Sequence, residues 1–297
     1  MYTLEERHVM DLGDIYTLLY GYLGQELINQ FHLDGERALR EASRRFGRDR
    51  GKTLREKHLR IGAKVNMQNL FSLYPDLPSD PRFRRELQIL APQERISHTL
   101  YCPMAAIWEK HGQKNIGRIY CEEFHPACYS EYAYGYTQVN LARTQTQGDD
   151  PYCAFRVILR PADLPEDLRG ECFAEFDADY KEPPYHPELS LSGREGFEML
   201  AIKLYHYLLE TSVEYMGTGA ISAVAIGLQK LSKASVELLK ETSSLYHVPF
   251  DDDLIAASIP FSHDYDSISF WQGYDSCNAK LLLEENFFKP LLRETTH

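Results

Sequence analysis

Apolar residues recur along the start of the chain at steps of three and four. Ile15, Leu18, Leu19, Tyr22, Leu23 and Leu27 form one stripe, which predicts an amphipathic helix over residues 12–31. Asp34-Gly35 breaks it, and Ala38, Leu39, Ala42 and Phe46 mark a second helix ending at Gly47. Prolines 75, 78 and 81 forbid helix and predict a loop. Residues 82–96 read as a charged connection with room for one short helix. Residues 104–111 suit a short helix with Pro103 in its first turn, and residues 116–131 a second, interrupted near Pro126. The period then drops to two. Val139, Leu141 and Arg143 alternate with Asn140, Ala142 and Thr144, and turn chemistry follows at Gly148-Asp149-Asp150-Pro151. On the returning strand Cys153, Phe155, Val157 and Leu159 share one face. An acidic, proline-punctuated stretch over 161–193 precedes new helical stripes over 194–245. Asp251-Asp252-Asp253 caps a further helix, and a last one over 281–292 closes the pattern.

The pattern predicts an α+β fold, with a small antiparallel sheet containing the hairpin 138–159 flanked by helices from both ends of the chain. Four regions follow: a helical region 1–96, a cysteine-rich α+β core 97–160, an acidic linker or lid 161–193 and a helical region 194–297, together forming one compact unit.

Composition narrows the function. With 43% hydrophobic residues the 297-residue chain can bury a sizeable core. A formal charge of −12 argues against nucleic acid as a partner. The weakly polar run 217–228 falls short of the ~20 residues that span a bilayer, and the first residues lack the apolar core of a secretory signal. Six cysteines without such a signal read as reduced thiols in the cytoplasm. A small-molecule substrate is expected, with no nucleic acid and no membrane partner; homo-oligomerisation stays open.

Four of the six cysteines, Cys102, Cys121, Cys128 and Cys153, fall between His98 and Arg160. As a metal site, Cys121, His125 and Cys128 with Cys102 or Cys153 lack the tight Cys-x-x-Cys pairs usual for zinc, so no metal or cofactor is expected and zinc is a lesser reading. Cys128, Cys172 and Cys277 read as small buried hydrophobes. Cys121 and Cys153 are the candidate reactive thiols. His125, four residues after Cys121, shares its helix face and suits a thiol–imidazole pair; His98 is a second candidate proton carrier. The basic run 44–60 reads first as a solvated face, and secondly as the source of a carboxylate-binding guanidinium from Arg48, Arg50 or Arg55. Asp149 and Asp150 fix the hairpin turn, with water activation by Asp149 as the rival role. The aromatic tail around Trp271 either lines a pocket or covers the core.

Certain strings also carry a resemblance. Cys102-Pro103, Tyr120-Cys121, Gly148-Asp149 ahead of Cys153-Ala154-Phe155-Arg156, and the upstream Phe46-Gly47-Arg48-Asp49-Arg50-Gly51 with Leu54-Arg55-Glu56 resemble the L-2-amino-thiazoline-4-carboxylic acid hydrolase family over about residues 15–160. More distantly they resemble small-molecule-binding domains of the four-vinyl-reductase type. Where many family members have an Asp three residues after the second cysteine, this chain has Phe124 followed by His125, which shifts that role onto His125 or Glu123. The resemblance implies a hydrolase that opens a cyclic C–N bond, in an amidine or amide, of a small carboxylated heterocycle. Either Cys121 or Cys153 attacks, or His125 or Asp149 activates water. The alternative is a binding or sensing protein on the same scaffold. The expected site is catalytic Cys121, His125 and Cys153, with Arg48, Arg55, Cys102, Asp149 and Trp271 holding substrate. Residues beyond 160 lie outside the resemblance, which leaves room for a different or larger substrate.

Overall fold

The computed structural model describes residues 2–75, 80–148, 150–262, 265 and 269–295. It is an α+β protein, mostly helical, with one small antiparallel sheet. The first helix, α1, runs from Leu4 to Arg60. Thr3 and Glu6 start it with reciprocal hydrogen bonds, Glu6 N–H to Thr3 Oγ1 at 3.1 Å and Thr3 N–H to the Glu6 carboxylate at 2.8 Å. It kinks at His32, whose φ of 53° and ψ of −118° are not helical. The two helices expected from the stripes are therefore two limbs of one element. The second limb does not stop at Gly47. A Cβ on Gly47 would stand 2.7 Å from the Phe124 carbonyl oxygen, and one on Gly51 2.3 Å from that of Cys128. These glycines are contact points between backbones, not a helix end.

A short helix α2 (Met67–Ser72) leads to the hairpin β1 (Arg84–Ala91) and β2 (Glu94–Tyr101). These strands replace the charged connection expected over 82–96. β1 is an edge strand whose first six residues are all exposed, Leu87 at 55% and Ile89 at 40% among them, so it carries no inside–outside alternation. Helices α3 (Pro103–Lys110) and α4 (Lys114–Tyr132) follow, and α4 continues through Pro126 without a break. Packing of its buried face, with Phe124, Cys128 and Tyr132, outweighs the loss of one helical N–H. Strands β3 (Gln138–Arg143) and β4 (Cys153–Ile158) complete a sheet of order β1-β2-β4-β3. Across β2 and β4 the register pairs Thr99 with Cys153, Ser97 with Phe155 and Arg95 with Val157. All six residues therefore share the face turned toward α4.

Beyond the sheet, α5 (Glu166–Cys172) delivers Cys172 and Phe173 into a smaller core with Val65, Leu70 and Val157. Lys64 ties this segment down through Asp177 at 2.5 Å. Helices α6 (Gly193–Met216), α7 (Gly219–Tyr246) and α8 (Asp252–Ser258) follow. Of the three aspartates expected to cap α8, Asp251 does so, accepting from Leu254 N–H at 3.1 Å. Helices α6 and α7 pack on α1 in the main core. The expected last helix is a short α-turn (Ala279–Leu283), a π-turn (Glu284–Phe288) and another short helix (Lys289–Leu292). No described helix is long and apolar enough to cross a membrane.

The α1–α4 contact makes a signed prediction. In a free helix, Gly51→Ala would stabilise by about 1 kcal/mol. Against the Cys128 carbonyl it should instead destabilise, by about 1–3 kcal/mol. Urea unfolding measures the sign, and a more stable variant would show that the two backbones do not touch there.

Candidate active site

Helix α4 presents Tyr120, Cys121, Phe124, His125, Cys128 and Tyr129 along one face, the pairs recurring every four residues. Opposite stands the inner face of the sheet, with Arg95, Thr99, Cys153 and Phe155. Tyr16 and Arg50 of α1 and Met104 and Trp108 of α3 close the sides. The partly open cavity has a volume of about 360 Å³, within the range of small-molecule sites. It is elongated. Cys121 to Tyr129 covers about 12 Å of helix, and Thr99 to Arg95 about 13 Å of strand.

At one end lie three thiols, Cys102, Cys121 and Cys153. Gln145, in the β3–β4 connection, holds two of them. Its N–H donates to Cys153 Sγ at 3.2 Å, its Oε1 accepts from Cys102 N–H at 3.0 Å, and its Nε2 donates to the Leu100 carbonyl at 3.0 Å. The Cys121 thiol is hydrogen-bonded to Thr146. Burial pushes the Cys153 thiol up to about 11 and raises Cys102 and Cys121 as well, and neighbouring sulfurs reinforce the shift at Cys121 and Cys153. All three are protonated at neutral pH.

His125 stands midway. It is packed edge-on against Phe155, with ring centroids 5.1 Å apart, and its Nδ1 lies 3.2 Å from the Tyr129 hydroxyl. Burial, then the positive charges of Arg50, Arg85 and Arg95, pull its pKa down to about 3. The imidazole is neutral at pH 7. His125 and Cys121 share a helix face as expected, yet they do not pair: the imidazole partners Tyr129 and the thiol partners Thr146.

At the other end is Arg95. Its guanidinium lies 4.2 Å over the Phe71 ring and is largely buried. Among the described residues it has no carboxylate or hydrogen-bond partner. Burial and the nearby Arg85 pull its pKa down, against the opposing influence of Tyr129. Arg85 reaches the cavity from the exposed edge strand, stacked 4.0 Å over Phe83, and Arg50 lies 5.2 Å over Phe124. The described carboxylate on the wall, Asp80, is engaged: Arg82 donates to its two oxygens at 3.0 and 2.6 Å.

Of the expected substrate-holding residues, Cys102 lines the cavity and Arg48, Arg55 and Trp271 do not. Arg48 pairs with Glu41 at 3.0 Å on the surface. Arg55 pairs with the Glu131 carboxylate at 3.0 Å and its carbonyl, under the Tyr134 ring. Of the three arginines weighed on this limb, the helical phase turns Arg50 inward. Trp271 is buried in the C-terminal core against Tyr265. Asp149 lies outside the described residues. Glu123 faces away from the cavity, held by Arg40 and Arg44 at 2.7 Å each. His98 is on the outer sheet face, 3.2 Å from Gln88. Among the described residues no group of three His, Cys, Asp or Glu side chains is arranged to hold a metal ion. Sequence reasoning missed Arg95, Tyr129 and Gln145. For Arg95 a signal existed: Arg95, Ser97 and Thr99 alternate with Ile96, His98 and Leu100.

The model of the family described as L-2-amino-thiazoline-4-carboxylic acid hydrolase matches residues 14–157, just under half of the chain. The resemblance seen in the motifs is to this family, and the described cavity lining falls wholly inside the matched span. No curated protein and no solved structure matches the chain.

The His125 environment predicts an acid sensitivity. Above pH 6.5 the imidazole is neutral folded or unfolded and contributes nothing. Below it the unfolded chain binds a proton that the native site refuses until about pH 3, so stability falls by up to about 1.4 kcal/mol per pH unit. His125→Gln should show a shallower decline in unfolding free energy between pH 6.5 and 4; parallel declines would mean that the imidazole is not buried.

Proposed function

We propose that this cavity hydrolyses a cyclic C–N bond in a small carboxylated amidine or amide, with Arg95 clamping the carboxylate and His125 accepting a proton from the attacking water. The observation that carries this reading is the Arg95 guanidinium, largely buried on the cavity wall without a carboxylate among the described residues. An unpaired buried cation is costly, by several kcal/mol. A substrate carboxylate relieves that cost and meets the guanidinium in bidentate geometry. The matched family supports a hydrolase of this kind.

In the tautomer where His125 Nδ1–H donates to the Tyr129 oxygen, Nε2 is bare and takes a proton as water oxygen bonds to the ring carbon. The ring C–N bond then breaks and the proton passes to the departing nitrogen, so one water is consumed and no redox partner is needed. An anion on Arg95 offsets one of the positive charges that hold His125 down, which strengthens the base once substrate is bound. The route through a cysteine nucleophile is less favoured, because burial keeps the proton on Cys121 and Cys153 and, among the described residues, the His125 imidazole is hydrogen-bonded to Tyr129 and not to Cys121. The same protonated thiols favour, as a second reading, a binding protein without turnover.

Incubation with 2-amino-thiazoline-4-carboxylate tests the assignment: C–N cleavage gives S-carbamoyl-cysteine, which tandem mass spectrometry and a thiol assay distinguish from the N-carbamoyl isomer of equal mass that C–S cleavage would give. Arg95→Met should lower kcat/KM roughly 30-fold or more. His125→Gln should act on kcat, while Cys121→Ser keeps most of the rate. A covalent adduct on Cys121 would move the chemistry to the thiol. Arg95-dependent binding without product would leave a binding protein.

A further inference from the structure

The cavity is about twice as long as the ring it is proposed to open. Arg95 and Tyr129 mark one end, and Thr99, Cys121 and Cys153 stand about 12–13 Å away along α4 and β2. A carboxylated five-membered ring spans only about 6 Å from carboxylate to exocyclic nitrogen, given bonds of about 1.3–1.5 Å. With its carboxylate on Arg95, such a ring ends near His125 and leaves the thiol end empty.

The chemistry of that end says what fills it. All but one of its described hydroxyl and amide groups are already engaged. The Gln145 amide serves Cys102 N–H and the Leu100 and Pro151 carbonyls. The Thr146 hydroxyl serves Thr144 and Cys121. The hydroxyls of Tyr16 and Tyr120 meet at 2.9 Å, and Trp108 Nε1 donates to the Thr17 carbonyl at 3.0 Å. Thr99 alone, among the described lining residues at this end, keeps a hydroxyl without a hydrogen-bond partner. Apart from the Arg85 guanidinium, which reaches in from β1 stacked on Phe83, and the Asp80 carboxylate engaged by Arg82, what remains is sulfur and aromatic surface, with the adaptable Met104 side chain beside it. Apolar wall atoms facing empty space lose contacts that an apolar group restores.

We infer that the substrate of this chain carries an apolar arm, aryl or branched alkyl, opposite its carboxylate, and that Met104, Trp108, Cys121 and Cys153 receive it. The inference rests on Arg95 as the carboxylate clamp. It makes the preferred substrate an elongated carboxylate with one charged and one apolar end, larger than 2-amino-thiazoline-4-carboxylate itself.

Calorimetric titration of the full chain with cyclopentanecarboxylate, phenylacetate, 3-phenylpropanoate and 4-phenylbutanoate tests it. Affinity should rise along the phenyl series, on the order of threefold per added methylene, and 4-phenylbutanoate should quench Trp108 fluorescence. In Met104→Trp, which fills the thiol end, the ratio of affinities between 4-phenylbutanoate and cyclopentanecarboxylate should collapse toward one. Cys121→Phe is the second filling variant if the first does not fold. A flat series in which cyclopentanecarboxylate still binds, and loses binding in Arg95→Met, overturns the arm and leaves the clamp standing. A rising series that survives both filling variants overturns its placement at the thiol end. Binding of no carboxylate, or binding untouched by Arg95→Met, overturns the clamp and the inference with it.

Discussion

The contact between the backbones of α1 and α4 at Gly47 and Gly51 is the constraint on which the cavity depends. Only hydrogen atoms at those two positions let α1 lie against the Phe124 and Cys128 carbonyls. That approach fixes the rotation of α4 about its axis, which turns Cys121, His125 and Tyr129 to the sheet rather than to solvent. It also brings Arg50, the neighbour of Gly51, over Phe124. From behind, α1 is held at the adjacent residue. Asp49 accepts from Lys203 at 2.7 Å, Tyr207 at 2.9 Å and Tyr274 at 2.7 Å. The described residues beyond 157 contribute nothing to the cavity wall. They act on it by buttressing the helix that carries Arg50, which fits a family match confined to residues 14–157.

The electrostatics of the cavity follow from a contest between burial and the arginines. Arg85 favours ionised thiols at Cys102 and Cys153, but desolvation is the larger effect and the protons stay on sulfur. At His125 the two effects act together, since burial and positive charge both oppose protonation. The resting cavity thus holds neutral thiols, a neutral imidazole and, among the described residues, a guanidinium at Arg95 without a carboxylate partner. On the proposed reading, such a set would favour an anionic ligand before any reacting group is ionised.

What was legible in the sequence follows from periodicity. The hairpin of β3 and β4, the inward face of Cys153, and the co-facial placement of Cys121 and His125 all come from a period of two or of nearly four, and the fold keeps them. β1 escaped because both its faces are exposed, so charge and apolar residues mix without order. Arg95 was hidden in that same charged run. Gly47 read as a stop because a glycine that ends a helix and a glycine that admits another backbone look alike until the partner is known. Spacing could not choose between Cys121 and Tyr129 for His125, since each is four residues away. Nor could it choose among Arg48, Arg50 and Arg55, because the choice depends on where α4 crosses α1.

The position of His125 links the proposed clamp to the proposed chemistry. It lies four residues, about 6 Å of helix, from both Cys121 and Tyr129. A carboxylate seated on Arg95 therefore places a reactive ring carbon, about one ring diameter away, at the level of the imidazole, with whatever extends further lying among the thiols. Orientation is then set by charge at one end and, at the other, by a wall whose hydroxyl and amide groups, Thr99 excepted, are already engaged. A ligand entering reversed would set its carboxylate among protonated sulfurs, with only Arg85 from the exposed edge strand to meet it, and would give the more buried Arg95 no anion. The four cysteines on the cavity wall accordingly serve best as compact, weakly polar surface: serine in their place would offer water strong hydrogen bonds and weaken the asymmetry that orients the ring.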